Sequence, residues 1–197
     1  MEKYTETSLR HLDFSDNFFD LVQAVLGENI KQGNKTTSIQ PATNNKNKRE
    51  KEYRHQTKWS DNRILIPVLF SFFHGIELFL KGIKYLNNDP EKKPDHKLSN
   101  LTTNFKKDHP EKTVIIEILE YYIYPENNCK ILSDFYKTNK IADSSKFYEV
   151  FKYPSNNKFD KDFNYKDLKR NGEKGIKLFE KIINDIETLR NEKKKFK

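Results

Sequence analysis

The chain has 197 residues with 37 lysines and arginines against 29 acidic residues, a net charge of 37 − 29 = +8 with the histidines neutral. Its single cysteine excludes an intramolecular disulfide framework and multi-cysteine metal sites, so we expect one cytoplasmic domain over residues 1–197. With only 6 glycines, it carries no phosphate loop, dinucleotide fingerprint or nucleophile elbow, and its 15 Phe and 10 Tyr argue against disorder.

The first predicted element is a helix that begins at Asp13 or Ser15. Apolar residues at spacings of three and four form one face of it as far as Leu26. Residues 31–58 follow, rich in Asn, Lys, Gln and Thr and almost free of apolar side chains. Because this segment cannot offset its ordering entropy by burial, we expect a long mobile polar loop there.

The longest apolar segment runs from Ile64 to Leu86. Charged and polar residues in its second half leave an uninterrupted apolar stretch of roughly ten residues, about half of what a bilayer requires. We therefore predict no membrane span but a buried central helix over about residues 61–87, with Pro67 tolerated in its first two turns.

Four further segments follow. Helices are predicted near residues 96–105, 114–122 and 127–139, and a long final helix from Leu168 through Leu189. Between them, residues 145–163 alternate aromatic and polar side chains, which favours an extended or hairpin excursion. The predicted fold is all-α, a bundle of about five to six helices around the central one, with a basic tail over residues 191–197.

The central helix carries a polar stripe. Glu77 and Lys81 are four residues apart with the acid first, the favourable orientation for a helical ion pair, and His74 lies three residues before Glu77. One interpretation is a partly buried ion pair beside a core histidine. The other places His74, Glu77 and Lys81 at a nucleotide or RNA pocket.

The stripe belongs to a longer pattern. Glu77-Leu78-Phe79-Leu80-Lys81 is followed, after a polar gap, by His96-Lys97-Leu98, and an aromatic-Pro step at Tyr153-Pro154 precedes the last helix. This order resembles the HEPN superfamily of small helical domains, in which an E-L-x-L-K helix precedes an H-x-L segment. The resemblance spans roughly residues 60–190. It implies a homodimer that acts in a toxin–antitoxin or phage-defence system, with a cognate antitoxin or nucleotidyltransferase as partner.

Many members of that superfamily are metal-independent ribonucleases with Arg, four to six residues, then His on a late helix. There the imidazole would move the 2′-hydroxyl proton while the Arg stabilises the phosphate. Here no histidine follows His109, so Arg170 and Arg190 lack a partner at that spacing. The formal match is Arg49 with His55, a candidate catalytic pair that lies in the polar stretch.

Basic residues gather in two places. One cluster surrounds Tyr53 and Trp59, a mixture that can hold phosphates while a ring stacks on a base, and it comprises Lys46, Lys48, Lys51, Arg54 and Lys58. The other is Lys193 to Lys197. The alternative interpretation of both clusters is a solvated surface, since Lys outnumbers Arg and Arg is better suited to bidentate phosphate recognition.

No metal or cofactor is expected. His96 and His109 lack ligands at metal-binding spacing, and Cys129 fits a buried thiol better than a nucleophile. We therefore expect a non-catalytic HEPN-like domain that binds RNA, a nucleotide or a partner protein. The alternatives are an active metal-independent ribonuclease and a helical protein-interaction module.

Overall fold

Helices make up the regular structure of the chain, as the sequence predicts. A computed structural model describes residues 2–37, 44–87, 95–124, 127, 129–142, 144–156, 158 and 160–196. These residues form eight α-helices, against the five to six predicted: α1 (Glu2–Gln32), α2 (Lys46–Gln56), α3 (Asp61–Leu86), α4 (Leu98–Asp108), α5 (Thr113–Ile123), α6 (Lys130–Asn139), α7 (Phe147–Lys152) and α8 (Gly172–Lys193). The all-α prediction is confirmed.

The central helix α3 matches its predicted bounds. It begins after Ser60 and contains Pro67 in its second turn. It is the one helix of the described residues that is long and apolar enough to cross a membrane, and 72% of its most apolar window is buried within the protein. Such burial is typical of a core helix. It accounts for the apolar residues on all sides of the first half of α3.

Helix α1 is longer than predicted, because it begins at Glu2. Ser15, a candidate cap from the sequence, instead donates a hydrogen bond across the helix interface to the Gly75 carbonyl oxygen at 2.8 Å, and Ser8 does the same to Gly82 at 2.7 Å. A Cβ at Gly75 would lie 2.7 Å from the Phe19 ring. The two glycines thus let α1 lie against α3 along its length, a tertiary contact that local patterns do not report.

The prediction of a loop over residues 31–58 is wrong for residues 46–56, which form α2, and for residues 31–32, which end α1; residues 38–43 lie outside the described residues. The Asn45 side chain caps this helix by accepting the Lys48 N–H at 3.1 Å, and Arg54 pairs with Glu50 at 2.7 Å. None of its residues is buried. Lys, Glu and Arg are good helix formers, and the cap and the surface ion pair add to their effect. Together they stabilise a helix that no pattern of apolar residues indicates.

The aromatic segment is helical rather than extended in its first half. Phe147 and Phe151 lie one turn apart on α7 and pack against Phe73, with ring centroids 5.7 Å and 5.9 Å away. A single antiparallel bridge between Ser155 and Asp162 is what the described residues retain of the expected hairpin. The rings do pack against the bundle, as predicted, but at helical spacing.

The last helix begins four residues later than predicted. Leu168 is buried in a 3-10 turn, and the chain then reverses through Arg170 and Gly172, whose φ angles are +60° and +52°. Asp61, the first residue of α3, accepts the Arg170 and Asn171 N–H groups at 3.0 Å and 2.6 Å. These bonds join the start of α8 to the start of α3.

Candidate functional site

The segment Glu77–Lys81 and the segment that begins at His96 meet around one buried carboxylate. Glu77 is 1% exposed, and its Oε1 lies 2.7 Å from Lys81 Nζ and 2.8 Å from His96 Nδ1. His74 Nδ1 lies 3.5 Å from the other carboxylate oxygen. His96 thus brings the segment before α4 onto α3, while Leu98 is buried in the core. The spacing within α3 predicts the Glu77–Lys81 pair. The contact of His96 with Glu77 depends on the tertiary fold, so spacing alone does not predict it.

This cluster is poorly arranged for binding phosphate. The Glu77 carboxylate neutralises Lys81, whose side chain is only 11% exposed. The His74 ring contacts Phe18 edge to face, with ring centroids 4.6 Å apart, and lies parallel to Phe70 at 6.1 Å. A buried carboxylate that contacts both Lys81 and His96 fastens the segment before α4 to α3, so the geometry favours the structural interpretation over a nucleotide pocket.

The candidate catalytic residues Arg49 and His55 both lie exposed on α2. Six residues along an α-helix correspond to a rise of about 9 Å and a rotation of about 120° between the two side chains. The fold therefore does not direct them toward a common point on the helix surface.

The predicted phosphate-binding residues lie on and just after α2, all of them exposed: Lys46, Lys48, Lys51, Arg54 and Lys58. We call these five residues the α2 basic surface. Tyr53, 37% exposed, lies among them, and the Arg63 guanidinium lies 5.7 Å from its ring centroid. Trp59 packs partly against the core, which leaves Tyr53 as the more accessible ring.

The second predicted basic cluster is largely engaged within the fold. Lys193 Nζ pairs with Asp16, and Lys195 pairs with Glu192. The Phe196 ring packs edge to face on His109, with ring centroids 5.2 Å apart. The end of the chain is therefore docked on the bundle, and part of its charge is compensated.

Sequence reasoning missed a third basic region. Asn62, in the first turn of α3, lines a cavity of about 390 Å³ together with Lys166, Lys169 and Arg170. These residues lie more than one hundred positions apart in the chain, and the bonds to Asp61 bring them together. A count of local charge could have drawn attention to 166–174, but not to its position beside α3.

A buried polar cluster also links α5 with α8. The Tyr122 hydroxyl donates to Asp185 Oδ2 at 2.6 Å, and Lys181 pairs with the same carboxylate at 3.0 Å. Burial, followed by the Asp185 charge, raises the pKa of Tyr122 well above the ordinary value of 10.0. Tyr121 lies beside Cys129, and its pKa is raised mainly by burial. Within the described residues no group of His, Cys, Asp and Glu has the arrangement of a metal site.

Comparison with known proteins places the chain in no family. No protein-family model matches it, and neither a curated protein nor a solved structure shows significant similarity to it. Functional interpretation therefore depends on the residues themselves.

Proposed function

We propose that this protein is a non-catalytic HEPN-like domain that binds RNA through the α2 basic surface. The observation that carries the proposal is that α2 is an ordered helix without a single buried residue. A helix that is polar on all sides contributes little to the core, so its composition must be explained by what it presents to solvent.

What α2 presents is positive charge next to an accessible ring. Residues 46–58 carry six cations and two acids, a local charge of 6 − 2 = +4. Such a surface attracts phosphates through release of counterions, and Tyr53 can stack on an unpaired base. Lys48, Lys51 and Arg54 follow one another at spacings of three, so each lies beside the next along the helix surface.

The test is the affinity for a fluorescent oligouridylate of about 12 nucleotides, within the usual range for single-strand binding sites. The variant Lys48→Gln/Lys51→Gln/Arg54→Gln is expected to bind about tenfold or more weakly, because three phosphate contacts are lost. The matched control removes three exposed lysines from α4 and α6 and the segment before α4, as Lys97→Gln/Lys107→Gln/Lys137→Gln. Equal affinity of the two variants would refute the proposal.

The same incubation, carried out without metal, tests the ribonuclease alternative. We expect the RNA to be recovered intact, because Arg49 and His55 point in different directions from α2. Cleavage by the wild-type protein that His55→Ala abolishes would instead establish the catalytic alternative.

We further propose that a second copy of the chain binds the exposed apolar face of α1. Phe14 and Leu21 are 59% and 52% exposed, and Leu21 borders a cavity of about 210 Å³ with Trp59 and Pro67. Large exposed apolar side chains in one stripe are typical of an interaction surface.

The charges at the two ends of this face fit a symmetric dimer. Asp13 lies exposed beside Phe14, and Arg63 lines the cavity at the other end. In a twofold contact with antiparallel α1 helices, each acidic end meets the partner's basic end. Sedimentation velocity should therefore show a dimer that Phe14→Ser/Leu21→Ser converts to a folded monomer. A wild-type protein that sediments as a monomer at every concentration tested would contradict this.

A further inference from the structure

We propose that the cavity beside the first turn of α3 is a second phosphate-binding subsite, which holds the same RNA strand as the α2 basic surface. We call it the α3 groove, and it is lined by Asn62, Lys166, Lys169 and Arg170. The inference rests on the proposed function, and it extends the RNA path to a part of the chain more than one hundred residues away in sequence.

The first argument is charge. Within the described part of the chain, the side chains of Lys166, Lys169 and Arg170 form no ion pair, and all three residues are exposed. Other cations are matched by acids, as Arg190 is by Asp16 and Asp20. Cations that converge on one concave surface without acids produce a strong local positive potential, which favours a polyanion.

The second argument is the backbone that supports the groove. Arg170 has a φ of +60°, a conformation that costs free energy for a residue with a Cβ. Two hydrogen bonds to Asp61 maintain it, and the Asn34 side chain contacts the same carboxylate at 3.2 Å. Asp61 is itself 2% exposed, so its charge is withdrawn from the groove surface. An unfavourable conformation held by a buried network is typical of a functional position.

The third argument is continuity with α2. Asn62 and Arg63 are neighbours in the first turn of α3: Asn62 lines the groove, while Arg63 reaches over Tyr53 and donates to Thr57 Oγ1 at 3.2 Å. The α3 groove and the α2 basic surface thus border the same helical turn. A strand bound at one is positioned to reach the other.

The lining residues decide which cavity holds the strand. Asn62 and Arg170 line the α3 groove with the two lysines, and no carboxylate of the described residues does. Lys166 and Lys169 also line a neighbouring cavity of about 240 Å³, where the carboxylates of Asp134 and Asp167 would repel phosphate. The strand is therefore assigned to the side of the two lysines that Asn62 and Arg170 line.

The experiment measures the affinity of the full chain for the oligouridylate as a function of salt concentration. Lys169→Gln/Arg170→Gln should weaken RNA binding about tenfold. It should also reduce the steepness of log affinity against log salt concentration by about 1.4, the value for two phosphate contacts on a single strand. Lys97→Gln/Lys107→Gln, which removes the same charge at α4, should leave both unchanged.

Arg170→Gly separates binding from folding. Glycine adopts the positive φ without strain, so this variant should unfold at a temperature no lower than the wild type and still bind RNA more weakly. Groove variants with the affinity of the control would overturn the inference. If only the α2 variant loses affinity, the groove fails and the proposed function stands, whereas an α2 variant with full affinity refutes the proposed function itself.

Discussion

Glu77 illustrates how a single buried charge is accommodated in this fold. Its carboxylate is matched by Lys81 on the same helix and by His96 from the segment before α4. The ion pair follows from a four-residue spacing, so the sequence predicts it. His96 comes to it through the tertiary fold, so no spacing in the sequence predicts that contact.

The Glu77–Lys81 pair gives a prediction for stability. Glu77→Leu leaves a largely buried ammonium group unmatched and should lower the free energy of unfolding by about 3–5 kcal/mol. Glu77→Leu/Lys81→Met removes both charges and should recover most of that loss. Urea denaturation of Glu77→Leu, Lys81→Met and the double variant measures the coupling free energy between the two charges. Additive losses would show that the two charges do not stabilise each other.

Tyr122 gives a prediction for the pH dependence of stability. Its pKa is raised in the folded protein, so above pH 10.0 the unfolded chain loses a proton that the folded protein retains. The contribution of this group to the free energy of unfolding is fully present below pH 10. It should fall as the pH rises above 10, by about 1.4 kcal/mol per pH unit. Tyr122→Phe, which has no such proton, should show a smaller alkaline loss in urea denaturation at pH 9 to 11. Parallel losses in the two proteins would contradict the assignment.

At the scale of elements, prediction succeeds where a helix is defined by its own apolar face. The bounds of α3 follow from its apolar run and its flanking residues. The start of α1 and the existence of α2 do not, because α1 extends along α3 through contacts at Gly75 and Gly82, and α2 has no apolar face. The basic groove was missed for a similar reason, since a turn at Arg170 held by Asp61 brings its members together.

Because α2 lacks packing, its order should depend on its cap. An unsupported helix of 11 residues is marginal in water. Asn45→Ala removes the bond to the Lys48 N–H and should reduce the local stability of α2 by about 1 kcal/mol. Amide hydrogen exchange should accelerate across residues 46–56 while the global unfolding temperature stays the same. A lowered global unfolding temperature would mean that α2 is part of the cooperative core.

At the scale of the whole molecule, the net charge of +8 is less informative than the distribution of charges. Arg190 and the basic tail are partly neutralised by acids on α1 and α8, while the cations of α2 and the α3 groove face solvent. The all-α class follows from the spacing of apolar residues, and the absence of a glycine-rich phosphate loop follows from the lack of such a motif in the sequence. Which cations remain available is a property of the folded chain, because it depends on the acids that other helices bring close.

The most direct test of RNA binding by α2 is the salt dependence of affinity for the oligouridylate. Each phosphate contact on a single strand contributes about 0.7 to the slope of log affinity against log salt concentration. The wild-type slope should exceed that of Lys48→Gln/Lys51→Gln/Arg54→Gln by about 2, since three contacts are removed. The same slope for both proteins, or no binding by the wild type at low salt, would contradict the account.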